Sequence, residues 1–335
     1  MTTTGIKSLR RLMMGAEDSN AQGTRVAPTT YWRGIGTIQE NREVIFPNED
    51  VGIFAGVDRN YTARAESILQ LENTEATFEQ LPYIFEMGMH HDTAPTSDGG
   101  FNYAFPIAST DTYSSTDLAT YSWEGGDNIA AVYFTHGFVR TFNLNGEAGG
   151  ALMVNAEVFG GETAPTTDSG NFTSGVTIPT VTEILFSMCE LAIDNVGSGV
   201  ATTTISNTLL SMNMAVTTGW MPVYTASGSI DWSFIKQTQP EIIVSLTFEH
   251  NASAVAEIAA WRANTARVMQ LAFTDHQTGD MELTIDMVGR WDNFEKIGER
   301  DGNDIVTGNF RVRYNPSEAS FYFQVNVING LATLP

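Results

Sequence analysis

The stretch Glu241-Ile242-Ile243-Val244-Ser245-Leu246-Thr247-Phe248-Glu249 alternates apolar and polar side chains. Ile242, Val244, Leu246 and Phe248 alternate with Ser245, Thr247 and Glu249. In an extended chain one face is then apolar and the other polar, the period of a half-buried β-strand. The same alternation runs through Met281, Leu283, Ile285 and Met287 against Glu282, Thr284 and Asp286. It returns at Leu152, Val154, Ala156 and Val158, and at Phe321, Phe323, Val325 and Val327. Between such runs lie Gly125-Gly126-Asp127-Asn128 and Asp301-Gly302-Asn303-Asp304, residue types that tolerate the positive φ of tight turns. The chain reads as mainly β, with antiparallel sheets in sandwiches or barrels.

Two segments depart from this period. Residues 253–273 are rich in Ala, with Ile258, Trp261, Thr265, Val268 and Ala272 at three-to-four spacing, which predicts one amphipathic helix. Phe78, Leu81, Phe85 and Met89 predict a shorter one over 78–89, with Pro82 favouring a start near Leu81. The two helices raise the question of an internal repeat. Leu69-Gln70-Leu71-Glu72 matches Leu246-Thr247-Phe248-Glu249 at an offset of 177, and Gly126-Asp127-Asn128-Ile129 lies opposite Gly302-Asn303-Asp304-Ile305 at 176. The reading is two tandem β-sandwich or barrel domains, each with one flanking helix. Residues 30–162 and 176–335 are the domains, residues 163–175 a low-complexity linker, and residues 1–29 a basic N-terminal arm.

A length of 335 residues suits two domains. The charged fraction of 17% is below the usual soluble value of about 25%, so much of the surface is uncharged Thr, Ser, Asn and Gly. The net charge of −22 repels a phosphate polymer, which argues against ordinary nucleic-acid binding. Charge is also uneven: residues 1–33 carry Lys7, Arg10, Arg11, Arg25 and Arg33 against Glu17 and Asp18. A basic arm on an acidic body suits contact with another copy of the same chain. Cys189 is the single cysteine and sits in an apolar run, where a buried inert thiol is expected. No apolar stretch approaches a membrane span, and Leu12-Met13-Met14 is too short for a signal-peptide core. A soluble protein made in a cytoplasm is the expectation.

Catalytic and metal motifs are missing. His90, His91, His136, His250 and His276 form no HExxH or similar ligand spacing, and His90-His91-Asp92 reads as a solvated loop. There is no GxSxG, GxGxxG or GxxxxGK[ST]. Glu282 and Asp286 share a strand face, as acids on an exposed sheet do, and Asp301-Gly302-Asn303-Asp304 fits a hairpin turn better than a calcium loop. No catalytic residue, cofactor or metal is expected.

Several stretches, in order, resemble the tail-tube proteins of long non-contractile-tailed bacteriophages, in the larger form with a duplicated tube domain. They are Trp32-Arg33-Gly34-Ile35-Gly36, Phe46-Pro47-Asn48-Glu49, Glu79-Gln80-Leu81-Pro82-Tyr83 and Tyr121-Ser122-Trp123-Glu124-Gly125-Gly126-Asp127-Asn128. Gly137-Phe138-Val139-Arg140-Thr141-Phe142 and Ala151-Leu152-Met153-Val154-Asn155-Ala156-Glu157 follow, then Gly228-Ser229-Ile230-Asp231-Trp232, the Ala-rich helix, Leu283-Thr284-Ile285-Asp286 and Val327-Ile328-Asn329-Gly330. The resemblance lies in order and spacing over residues 30–335. It implies a virion protein, not an enzyme, that forms trimeric, pseudo-hexameric rings stacked into a tube. The implied partners are other copies of the chain, the tail terminator, tail-tip and tape-measure proteins, and DNA in transit through an acidic lumen, with no membrane. Lys7, Arg10 and Arg11 are the expected contacts between rings. The competing reading is a surface or secreted β-sandwich adhesin or carbohydrate-binding module, with Trp123, Trp232 and Trp291 as candidate sugar platforms.

Overall fold

The computed structural model describes residues 4–89, 95–97, 100–107, 118–166, 172–318 and 322–334. A one-turn 3-10 helix, Lys7–Leu9, opens the chain. The first strands are β1 (Arg11–Ala16), β2 (Thr30–Tyr31), β3 (Gly36–Ile45) and β4 (Tyr61–Glu75), and helix α1 (Leu81–Gly88) follows. Next come β5 (Thr96–Ser97), β6 (Phe101–Ile107), β7 (Tyr121–Gly126), β8 (Ala131–Glu147), β9 (Met153–Gly160) and β10 (Ala164–Pro165). A second 3-10 turn, Phe186–Met188, leads into β11 (Cys189–Asn195), β12 (Thr204–Ile205), β13 (Leu209–Thr217), β14 (Trp220–Val223), β15 (Phe234–Gln237) and β16 (Glu241–Glu249). Helix α2 (Ala252–Arg262) precedes β17 (Arg267–Thr274), β18 (Glu282–Phe294), β19 (Gly298–Arg300), β20 (Asn303–Val312) and β21 (Phe323–Asn329). The chain is mainly β, as the alternation predicts.

Antiparallel pairing joins β3, β4, β9, the second half of β8, β13, β16, β20 and the second half of β18, in that order, into one eight-stranded sheet. The first half of β8 leaves it to pair β7 on one edge and β10 on the other, with β1 beyond β7 and β2 beyond β1. The first half of β18 behaves likewise: β17 and then β11 and β12 on one edge, β21 and then β6 and β5 on the other. The long sheet thus faces two smaller ones, and β8 and β18 are corner strands shared between layers. Ile242, Val244, Leu246 and Phe248 point inward with Leu69, Phe142, Met214 and Phe310, in a core that runs unbroken through both halves of the chain.

The pairings of the first half recur in the second. β1, β2, β3, β4, α1, β7, β8, β9 and β10 correspond to β11, β12, β13, β16, α2, β17, β18, β20 and β21. Both corners turn at a glycine. Gly137 lies opposite Tyr121 and Gly289 opposite Arg267, and a bulge follows three residues later, at Arg140 and at Asp292. A Cβ on Gly137 would stand 2.7 Å from the Tyr121 carbonyl oxygen, and one on Gly289 2.2 Å from that of Arg311, so neither corner has room for a side chain. Each helix also holds a carboxylate against the corner. Tyr121 Oη donates to Glu86 at 2.7 Å, while Arg267 Nη2 and Trp291 Nε1 both donate to Glu257 at 2.8 Å.

Four sequence expectations need correction. The Ala-rich helix ends at Arg262, not Phe273: Asn264 takes φ +52°, and Met269, Leu271 and Phe273 alternate inward along β17. The basic arm of residues 1–29 contributes a strand to the fold. Leu12, Met13 and Met14 are buried in β1, which pairs β7 along its whole length. In the linker of residues 163–175, Ala164–Pro165 pairs with β8, and Thr173 donates through both N and Oγ1 to the buried Glu124. Finally, the match at offset 176 joins unlike turns, because 126–129 connects β7 to β8 whereas 302–305 follows β19. Pro82 in the first turn of α1 stands as read.

Candidate functional site

The outward face of the eight-stranded sheet carries amides and hydroxyls. Met153, Asn145, Asn213, Ser245, Asn309 and Asn293 stand side by side across six strands with no charge among them. Neighbours are bonded to one another: Asn143 Nδ2 donates to Asn155 Oδ1 at 2.9 Å, Asn309 Nδ2 to Asn293 Oδ1 at 2.8 Å, and the Thr247 and Thr307 hydroxyls lie 3.1 Å apart. Such cross-strand pairs stabilise the sheet and leave its surface weakly charged. Acids on this face are partly balanced, Glu157 by Arg140 at 3.6 Å, and Glu241 and Asp292 by Arg311 at 2.6 and 3.4 Å. Arg300 of β19 pairs with Glu147 at the end of β8. Strands β13, β16 and β20 lie between them, so at about 4.8 Å per strand the contact requires the sheet to curl toward this face.

Inside the chain the two halves meet edge to edge. Ser211–Thr217 of β13 pairs with Thr141–Glu147 of β8, and the Thr218 N–H donates to the carbonyl of bulged Arg140 at 3.0 Å. The connection from β13 to β16 then folds over the first half. Its Trp220, Trp232 and Ile235 are buried with Leu118, Phe138 and Phe159, and the Trp220 indole donates to the Gly88 carbonyl at 3.2 Å.

The corresponding edges at the two ends of the long sheet have no such partner among the described residues. Among the described residues, β3 pairs only with β4, and β18 beyond Gly289 together with β19 pairs only with β20. The carbonyl of bulged Asp292 takes the Trp261 indole N–H at 3.1 Å instead. Residues 46–60, the counterpart of the β13 to β16 connection, expose Phe46 at 65%, Ile53 at 64% and Phe54 completely. Beside the start of β3 lies an open groove of about 1180 Å³, lined by Ile6, Lys7, Arg10, Arg11, Ile35 and Ile38 among others. Long unpaired strand edges invite pairing with another chain, and clustered exposed apolar side chains mark an interaction surface.

Other residues singled out in the sequence lie elsewhere. Lys7, Arg10 and Arg11 are exposed at one wall of the groove. His90, His91 and Asp92 fall outside the described residues. Trp123, Trp232 and Trp291 are at most 5% exposed, so none offers a ring face to a sugar. Asp286 accepts from Gln270 at 2.7 Å, and burial raises its pKa, opposed by that hydrogen bond; Glu282 and Asp286 lie on the half-buried side of β18, opposite Leu283, Ile285 and Met287. Cys189 begins β11, where burial pushes the thiol up to about 12. Asp301-Gly302 is a two-residue hairpin loop with φ of +52° and +81°. Among the described residues, no group of three or more His, Cys, Asp and Glu could hold a metal ion, and no helix is long and apolar enough to cross a membrane.

Sequence reasoning missed the open edges, because an edge is defined by what does not pair with it. One signal was available: His136-Gly137-Phe138-Val139-Arg140-Thr141-Phe142 and Val288-Gly289-Arg290-Trp291-Asp292-Asn293-Phe294 share Gly and Phe at the same spacing across the two corners. No protein-family model matches this chain, and no curated protein matches it.

Proposed function

We propose that the chain is the tail-tube subunit of a long non-contractile phage tail, a structural protein of the virion built from two tandem copies of one tube domain. The observation that carries this reading is the internal junction of β13 on β8, together with the corresponding edges at both ends of the same sheet, which are open among the described residues. If the junction inside one chain recurs between chains, β3 of one copy pairs with β18 and β19 of the next. Matching the two halves strand by strand sets the register: Asn41 stands opposite Asn293, and Thr37 opposite Gly298. Thr37, Gln39 and Asn41 then continue the uncharged face. Residues 46–60 fall where the β13 to β16 connection falls inside the chain, which gives Phe46, Ile53 and Phe54 a surface to cover.

A head-to-tail contact of this kind closes into a ring when its rotation permits. With the family's six domains per ring, three chains contribute twenty-four strands to a single closed sheet. At the usual strand spacing the circumference is about 115 Å and the barrel roughly 40 Å across, wide enough for a DNA duplex. The curl toward the amide face puts that face on the bore. A wall of amides, hydroxyls and acids offers no cationic phosphate contacts that passing DNA would have to break. The net charge of −22 acts in the same direction. The tail terminator, tail-tip and tape-measure proteins are the partners this role requires.

The test is negative-stain electron microscopy and sedimentation of the purified chain over a range of concentrations. Rings of three chains and hollow tubes are the expected products. A protein that remains monomeric up to millimolar concentration, with and without tail-tip components as initiator, sinks the reading.

A further inference from the structure

The groove beside β3 has a counterpart inside the chain, and there it is filled. The 3-10 turn Phe186–Met188 before β11 corresponds to Lys7–Leu9 before β1. The segment entering the later turn lies across the connection from β8 to β9: Leu185 bridges Ala151, the Leu152 N–H donates to the Ile184 carbonyl at 2.7 Å, and the Phe186 N–H donates to the Gly150 carbonyl at 3.0 Å. A Cβ on Gly146 would touch the Phe186 ring at 2.3 Å, so that ring sits directly on the end of β8. The residues corresponding to this connection form the turn from β19 to β20: Gly150 matches Gly302, Ala151 matches Asn303 and Leu152 matches Asp304. On the other side Ile184, Leu185 and Phe186 match Gly5, Ile6 and Lys7.

From this we infer that the groove receives the β19 to β20 hairpin of a neighbouring copy, with Lys7, Arg10 and Arg11 clasping Glu299, Asp301 and Asp304. The inference rests on the tube reading and deepens it by naming the side chains that hold neighbours together within a ring. Backbone supply and demand agree. Among the described residues, the Gly5 carbonyl and the Lys7 N–H make no hydrogen bond, whereas Ile6 N–H is held by Asn128 Oδ1 at 2.8 Å. The two free groups are those whose counterparts, Ile184 and Phe186, bond the β8 to β9 connection. Charge agrees as well. Glu299, Asp301 and Asp304 are exposed, as are Lys7, Arg10 and Arg11. Inside the chain the positions matching Lys7, Arg10 and Arg11 are Phe186, Cys189 and Glu190, and those matching Glu299, Asp301 and Asp304 are Glu147, Gly149 and Leu152, so this contact, made once during folding, has no basic residue at these positions. Between chains the contact must stay soluble before assembly, and opposed charges permit that while steering encounter and fixing register. The clasp therefore places the three basic residues between neighbours in one ring, not between stacked rings as the sequence reading had them.

A charge-reversal cycle on the full chain tests this. Variants K7E/R10E/R11E and E299K/D301K/D304K should each raise the concentration needed for assembly at least tenfold, and the six-fold variant carrying both sets should return it to within about threefold of the unaltered chain. Raising salt should weaken assembly of the unaltered chain. All substituted side chains are exposed, so monomer thermal melts serve as the folding control. Additive losses with no rescue in the combined variant overturn the clasp while leaving the tube reading intact, provided the unaltered chain assembles. Rescue of K7E/R10E/R11E by E49K/D50K/D58K instead assigns the groove to residues 46–60 of another copy and also overturns it. An unaltered chain that never assembles removes the tube reading and the clasp together.

Discussion

Glu86 and Glu257 occupy one position in two settings, and the difference lies in the residue facing each across the corner. Arg267 meets Glu257 with a full positive charge, and the Trp291 indole adds a second donor. Tyr121 offers Glu86 only a hydroxyl, so burial raises the Glu86 pKa, and the Tyr121 hydrogen bond only partly opposes this. With the folded value above the ordinary 4.5, the native state holds a proton the unfolded chain has lost. The stability from this group is complete below that value and declines as pH rises through the folded one. The substitution E86Q should therefore raise the melting temperature at pH 8, by on the order of 2 °C for a chain of this size, and leave it unchanged at pH 4. Equal shifts at both pH values would contradict the assignment. Gly289 makes a second residue-scale case, since an added Cβ meets backbone and not a movable side chain. G289A should cost about 1–3 kcal/mol in urea denaturation, and a neutral result would mean the corner is looser than described.

At the scale of elements, the strands were readable where one face is buried and the other wet, as in β16, because alternation is then the whole signal. It failed where both faces are covered or where spacing is ambiguous. In β17 both Val268 and Met269 are buried, and Val268 with Ala272 mimics helical spacing, so the sequence predicts a helix through to Phe273. Leu12, Met13 and Met14 are buried in succession, which reads as a short apolar run and gives no hint of a strand between β2 and β7. The first half of the candidate interface, the basic groups Lys7, Arg10 and Arg11, was visible as charge. Its acidic counterpart, 299–304, appeared only as a turn, because nothing local tells a strand edge that it is the last in its sheet.

At the scale of the molecule, the proposed ring is an answer to the two ends of the eight-stranded sheet. Its internal seam is covered by buried Trp220 and Trp232, while the matching edges at its ends have no cover among the described residues and are bordered by exposed Phe46, Ile53 and Phe54. Covering that seam removes both free strand edges and the apolar surface beside them in one step, and a ring does this for every copy. The most direct test places cysteines at Asn41 and Asn293 in a chain carrying C189S. Facing positions in an antiparallel pair lie within disulfide reach. Under mild oxidation the account predicts a cross-linked ladder of dimer and trimer that stops at the closed ring of three, with neither single cysteine giving it. Assembled tubes in which these two cysteines never join would contradict the account, because the seam inside the chain would then not be the seam between chains.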